Sequence, residues 1–404
     1  MRSTWVTVFP YATLLTALAG AAGTLVSCGG GGGNGDNALS VAAGRQIFRF
    51  DTFGDEDFFT GTLRLNEPVE QAVTPRVALQ VGLKVDADAL PDSVKQGIRN
   101  GTVDLDSPAT TVALLKLNAV VGLKGDVQTV NGTDRLVRLG VTCAICHSTV
   151  DNSFSQGIGK RLDTWPNRDL DIGAILALSP AITPEQKAVF LSWGPGMYDA
   201  RYNIDGRNKP TVIPPAWGLA GVDKVTFTGD GNEIAYWNRY VAVTQFHGHG
   251  NFTEPRLDIN ITYGSDDLVT AKLPALQAYQ LSIAAPTPPA GSFDALAAVR
   301  GQALFQGKAR CATCHTGGTF SDANAMLHPK SDSMAEPEVN SAADRSATKM
   351  YRTTPLRGVW QHAPYFHDGS APTLEAVVTT YNTRMLLGLT PQEVSDVAQY
   401  LRSL

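Results

Sequence analysis

Cys143-Ala-Ile-Cys146-His147 and Cys311-Ala-Thr-Cys314-His315 are two copies of one pattern, Cys-x-x-Cys-His. This is the attachment pattern of c-type haem. Each cysteine sulfur adds to a vinyl group of the porphyrin, and the His that follows lies beneath the ring, where a nitrogen can bind the iron. A zinc site or a thioredoxin-like dithiol uses the same cysteine spacing but leaves the adjacent His without a role. Four of the five cysteines fall in these motifs. The pattern implies two covalently bound haem c groups, with His147 and His315 as proximal iron ligands.

The fifth cysteine, Cys28, follows Leu25-Val26-Ser27 and an apolar N-terminus whose one charge is Arg2. This resembles a bacterial lipobox, with a signal peptide over residues 1–27 and acylation of the new N-terminal Cys28. Pro10, Gly20 and Gly23 break the apolar run, which is too short for a membrane span. Residues 28–37, rich in Gly, read as a flexible tether. Haem c is normally attached outside the cytoplasm, so export fits both features. The expected location is periplasmic or cell-surface, lipid-anchored, and at the outer membrane because Gly29 rather than Asp follows Cys28.

The net charge is −5, and −6 once Arg2 is lost with the leader. No basic stretch supports nucleic-acid binding. No cysteines remain for structural disulfides, so the fold must rest on its core and its haems. Residues 38–135 carry no haem signal and form an N-terminal extension of unassigned fold. Within it, 44–48 reads as a short helix and Leu114–Val121 as a buried helix or strand. A first haem domain runs over 136–284. Pro and small residues mark a linker at 285–292. In the second haem domain, 293–404, Ser292 is expected to cap a helix with Phe293, Leu296, Ala297 and Val299 on its apolar side. Thr390-Pro-Gln-Glu393 is a capping box for a final helix whose apolar stripe is Val394, Val397, Ala398 and Leu401. The expected fold is mainly α, with two cytochrome c-like haem domains.

The stretch Arg352-Thr-Thr-Pro-Leu-Arg-Gly-Val-Trp-Gln-His-Ala-Pro-Tyr-Phe-His-Asp-Gly-Ser370, with Pro372-Thr-Leu-Glu375 and Tyr381-Asn382 after it, strongly resembles the second haem domain of the bacterial dihaem cytochrome c peroxidase superfamily. That superfamily includes the dihaem enzyme that matures methylamine dehydrogenase and the dihaem rubber oxygenases. Arg207-Asn-Lys-Pro-Thr211, Ile213-Pro-Pro-Ala-Trp-Gly218 and Gly229-Asp-Gly-Asn232 are most similar to the rubber-oxygenase branch. The resemblance covers about 136–404.

In this family the second haem's sixth ligand stands fourteen residues after the His of the Pro-Tyr-x-His-Asp-Gly segment, which from His367 gives Tyr381. His362, His367 and Met385 are the alternatives. The peroxidases place a detachable His soon after their first motif; here no His follows His147 until His247. His247 and His249 are therefore the alternative axial or distal residues of the first haem. The family also holds a calcium ion between its haems, partly on backbone oxygens of a Thr-Ala-Pro stretch. The counterpart here is His362-Ala363-Pro364, with Asn167 or Asn203 as further ligands. Gly229 stands where the family has an inter-haem Trp, which leaves Trp217 and Trp237 as substitutes.

The resemblance implies electron transfer through the second haem to a reactive first haem that reduces peroxide, or oxidises a substrate with peroxide or oxygen. Partners would be a periplasmic redox protein, the membrane through the lipid anchor, and a small oxidant. The competing reading is a non-enzymatic dihaem electron carrier with both irons saturated.

Overall fold

The computed structural model describes residues 33–332 and 341–404, with side chains from residue 37 onward. The expected leader and Cys28 lie outside the described residues. The last part of the expected tether does not: the first helix, Gly33–Phe50, already begins at Gly33. Among the described residues the chain is helix-rich, and its strands form six small two-stranded sheets. No described helix is long and apolar enough to cross a membrane.

The extension folds as part of the first haem region. Its helix Gly33–Phe50 lies against Leu273–Leu281 so closely that a Cβ on Gly44 would sit 1.9 Å from the Ala275 carbonyl oxygen. Phe48 packs on Tyr279, with ring centroids 5.6 Å apart. Arg49 pairs with Asp163 at 2.6 Å, and Asp163 also accepts from Ser148 beside the first motif. The expected boundary at 135/136 falls inside a strand, Thr133–Val141, which is paired with Leu123–Val130. Asn131-Gly132 makes the turn of this hairpin, with φ of 52° and 78°. Two successive positive-φ residues suit the right-handed twist of the flanking strands, and Asn-Gly supplies them at low cost. One core takes buried residues from both sides of that boundary, from Phe59 to Phe246. The Leu114–Val121 run is split: Pro108–Lys116 is helix, and Val120 makes a bridge to Val85.

Asp55 lies at the junction of extension and hairpin. It is fully buried, and its carboxyl oxygens accept from the Val141 N–H at 3.1 and 3.3 Å. Burial pushes its pKa from the ordinary 3.8 to about 9; the Val141 N–H works against this, while Glu56 and Asp51 add to it. Between those values the folded protein holds a proton that the unfolded chain has released, so stability falls as pH rises through that window. Asp55→Asn keeps an acceptor for Val141 and removes the titration. The variant is expected to lose the alkaline decline in urea-unfolding free energy. A wild type equally stable at about pH 5 and about pH 9 would contradict the buried neutral carboxyl.

From residue 305 on, a separate core forms around Phe305, Tyr365, Val378, Val397 and Leu401. The Pro391–Arg402 helix starts in the expected capping box, and its stripe Val394, Val397, Ala398 and Leu401 is buried. The Ala295–Gln306 helix differs from expectation. Asp294, not Ser292, caps it, accepting from the N–H groups of Leu296 and Ala297. Ala297, Ala298, Gly301 and Phe305 face inward, while Leu296 and Val299 are 77% and 66% exposed. The reason is the crossing with Pro391–Arg402, where a Cβ on Gly301 would stand 1.9 Å from the Asp396 carbonyl oxygen. Small residues allow that approach and leave no room for Leu or Val on the same side.

Residues 341–352 reach back across the molecule. Arg345 pairs with Asp199 and Asp205, the Ala347 N–H donates to Asp230 at 3.0 Å, and the Arg352 N–H donates to the Phe227 carbonyl at 3.0 Å. The Val212 N–H donates to the His367 carbonyl at 2.8 Å. These contacts set the two motif-bearing halves side by side.

Candidate functional site

The hairpin delivers the first motif. Strand Thr133–Val141 ends two residues before Cys143, and the Thr142 N–H donates to the Gly122 carbonyl at 2.9 Å. The short helix Ala144–His147 then packs on Gly122, whose φ is 82° and whose Cβ would collide with the Ile145 backbone at 2.2 Å. Cys143, Cys146 and His147 wall a cavity of about 480 Å³. The second motif follows the Ala295–Gln306 helix, and Cys311, Cys314 and His315 wall a second cavity of about 560 Å³. Both volumes lie in the range of cofactor sites. Val212, Pro214, Phe227, Arg352 and His367 are among the residues that wall both.

The motif side chains suit haem. All four cysteines are unpaired. Burial pushes the Cys143 and Cys146 thiols up to about 12, and Cys311 up to about 11. That is the reverse of the electropositive setting that makes a redox dithiol or a ready thiolate. Burial holds His147 down at about 4, against the Pro214 carbonyl and with help from the Arg168 charge. Burial also lowers His315, whose Nδ1 lies 3.0 Å from the Phe320 carbonyl oxygen. That hydrogen bond fixes the tautomer and leaves Nε2 free as a ligand. The orphaned buried N–H groups of Arg168 and Arg352 on the cavity walls also call for an anionic group.

The other sequence candidates divide between the cavities. His247 walls the first. It stacks on Phe58 at 3.8 Å between ring centroids, and burial holds its pKa at about 4. His249 points away, stacking on Tyr263 and bonding Asp57 at 3.0 Å. The backbone reverses at His247, whose φ is 56°. Tyr381 and Met385 wall the second cavity together with His362. Burial, aided by Cys311 and Cys314, raises the Tyr381 phenol well above its usual range. His367 stands in the shared wall, between Phe227 and Tyr351. Trp217 walls the second cavity and meets Trp165 at 5.2 Å; Trp237 walls the first and stacks on Tyr240.

The residues expected to bind calcium do not fit it well. The His362 carbonyl accepts from the Arg168 guanidinium at 2.8 Å, so a cation of the chain already occupies that oxygen. Asn203 bonds the Thr244 carbonyl and Gln245. Of these side chains, Asn167 has an Oδ1 atom that is buried without a partner.

Several site residues escaped the sequence reading. Tyr198 and Gln245 face the first cavity and bond each other at 2.8 Å. His328 walls the second cavity and bonds Asp322 at 3.1 Å. It stands only thirteen residues after His315, a proximity that could have flagged it.

Residues 350–386 match the RoxA-like, cytochrome c-like family. The cytochrome-c peroxidase IdrP1 of Denitromonas iodatirespirans is 32% identical over 26% of this chain and 40% of its own. The methylamine utilization protein MauG of Methylorubrum extorquens is 40% identical over 21% of this chain and 24% of its own. The chain thus spans less than half the length of either relative. A solved diheme peroxidase, a BthA variant from Burkholderia thailandensis, is 16% identical over 65% of this chain and 81% of its own, with a TM-score of 0.34. At that distance the likeness carries no weight. With two Cys-x-x-Cys-His motifs on adjoining cavities and a matching segment around Tyr381, the chain is similar over these segments to the dihaem cytochrome c peroxidases and their MauG-like and RoxA-like relatives.

Proposed function

We propose that this is an exported, lipid-anchored dihaem oxidoreductase built as two cytochrome c-like haem domains, with the reactive centre at His147 and the electron-transfer centre at His315. Haem iron with an open axial position binds peroxide or oxygen, and iron with both positions filled passes electrons. The observation that carries the reading is the wall of the first cavity. Most of its lining is apolar, and beside Cys146 and His147 it includes Val69, Val73, Ile175, and the 38% exposed Val77 and Leu178. A largely apolar cavity that holds both a motif histidine and partly exposed apolar side chains supports an apolar path for oxidation of an organic molecule with peroxide or oxygen. Phe58 and Phe246 add aromatic surface to the same wall. His247, neutral at ordinary pH, can accept a proton, and Gln245 holds Tyr198 in place.

In the second cavity Tyr381 and Met385, one helical turn apart, line the same space as His315, and Tyr381 is the sixth ligand that we favour. His362 and His367 are the alternatives. Simple peroxide reduction is the second reading. The shared wall of Val212, Pro214 and Phe227 favours it, because electrons passing from a redox partner through the His315 side would have a short way to go. Any calcium between the haems would rely on Asn167 and the Pro364 carbonyl.

The test uses alkyl isocyanides, which are apolar ligands for ferrous haem. Butyl isocyanide is expected to bind the His147 centre, and Leu178→Trp to slow its binding by about tenfold while leaving carbon monoxide binding unchanged. Equal rates for both ligands in wild type and variant would remove the apolar path. Export and anchoring rest on the Cys28 segment. An N-terminal peptide starting with acylated Cys28 is expected by mass spectrometry, and an unmodified N-terminus elsewhere would reject it.

A further inference from the structure

Arg352 is half-buried in the wall common to both cavities, with its Nε atom fully buried. Its Nη1 donates to the Lys224 carbonyl at 2.6 Å, but its Nε has no partner. Arg168, also on the second cavity, donates through Nη2 to the His362 carbonyl at 2.8 Å, while its Nε and Nη1 are buried without partners. Neither guanidinium pairs with a carboxylate among the described residues. The contrast with Arg345, Arg161 and Arg201 is informative, because each of those buried arginines has an aspartate within 3 Å. Burial pulls both Arg168 and Arg352 down to about 10, so both remain cationic at neutral pH.

A buried charge without a counter-ion is strongly unfavourable, and native proteins pair nearly all such groups. The missing partner is therefore an anion that the described residues do not supply. A guanidinium fork matches two coplanar oxygens, the geometry of a carboxylate. The porphyrin of haem c carries two carboxylates, its propionates, and the cavities that these arginines wall are the haem cavities.

We propose that Arg168 and Arg352 are the propionate-binding residues of the haem pair, Arg168 on the His315 side and Arg352 between the two haems. The proposal rests on the dihaem reading. Each arginine also sets the potential of its haem. A fixed positive charge on the propionate offsets negative charge near the iron and favours the reduced state.

The test compares Arg168→Gln, Arg168→Lys, Arg352→Gln and Arg352→Lys in the haem-loaded protein. Gln keeps a donor for the His362 or Lys224 carbonyl and loses the charge; Lys keeps the charge. Denatured intact mass first counts the haems, so that a failure of the dihaem reading shows as fewer than two in wild type. Spectroelectrochemical titration and the resonance Raman propionate-bending band are then recorded. Both Gln variants are expected to lower a midpoint potential and shift the bending band, with Arg168→Gln acting on the His315 haem, and the Lys variants to restore most of the potential. If a Gln variant fails to load haem, loading and a near-wild-type potential in its Lys counterpart support the proposal. Two haems with unchanged potentials and bending bands in the Gln variants would overturn it, as would Lys variants that behave like Gln.

Discussion

Arg345→Ala is expected to destabilise the folded protein by about 3–5 kcal/mol, the range for removing one partner of a buried ion pair. Arg345 makes a fork to each of two aspartates: Nη1 and Nη2 to Asp199 at 3.0 and 2.9 Å, Nε and Nη2 to Asp205 at 2.7 and 2.9 Å. The Arg345 and Asp199 side chains are only 5% and 2% exposed, so solvent screens them little. Truncation would leave Asp199 charged and buried, with the N–H groups of Arg201 and Lys209 as its remaining donors. The same change unfastens 341–352 from the wall of the first cavity. Urea unfolding of the Ala and Lys variants measures the effect. Lys should recover only part of it, because an ammonium cannot span both carboxylates. A loss below about 1 kcal/mol in Arg345→Ala would show that the clasp is not buried as described.

Gly301→Val is expected to be as damaging by a different route. The Cβ would lie 1.9 Å from the Asp396 carbonyl oxygen and 3.0 Å from the Tyr400 Cβ. These are backbone and near-backbone atoms that cannot swing aside. The Ala295–Gln306 and Pro391–Arg402 helices would have to separate, and the bidentate Arg300–Asp396 pair beside the crossing would be pulled apart with them. Overpacking usually destabilises by roughly 1–3 kcal/mol, and a collision with fixed backbone belongs at or beyond the top of that range. The crossing helix leads straight into Cys311, so haem loading at the second motif should fall as well. Thermal unfolding and the haem content of the variant provide the check. A Gly301→Val protein with wild-type stability would mean that the helices do not meet at Gly301.

The features legible in the sequence were those whose chemistry is local. The two motifs, the Thr390 capping box and the Val394–Leu401 stripe are each written within a dozen residues; the capping box and the stripe stand in the structure as read, and each motif walls a cavity. Asn131-Gly132 is equally local, and it encodes the turn of the hairpin that delivers Cys143. Burial in the Ala295–Gln306 helix was misread because a close crossing selects Ala and Gly. Inward and outward faces there follow backbone proximity, not hydrophobicity. The site walls were the least legible part. Arg345 meets Asp199 across 146 positions, and Arg168 meets His362 across 194. No periodicity encodes such pairs. His247 and His249, two residues apart, looked equivalent in the chain; the positive φ at His247 sends one into the cavity and the other to Asp57.

The central claim is that one haem of the pair reacts and the other passes electrons. Cyanide titration followed by optical and electron paramagnetic resonance spectroscopy tests it most directly, in the ferric protein and after one-electron reduction. One haem should bind cyanide in at least one of these states, His247→Ala should alter the affinity, and Tyr381→Phe should change only the spectrum of the haem that stays inert. Two haems that remain low-spin and unreactive in both states would contradict the account and identify the protein as an electron carrier.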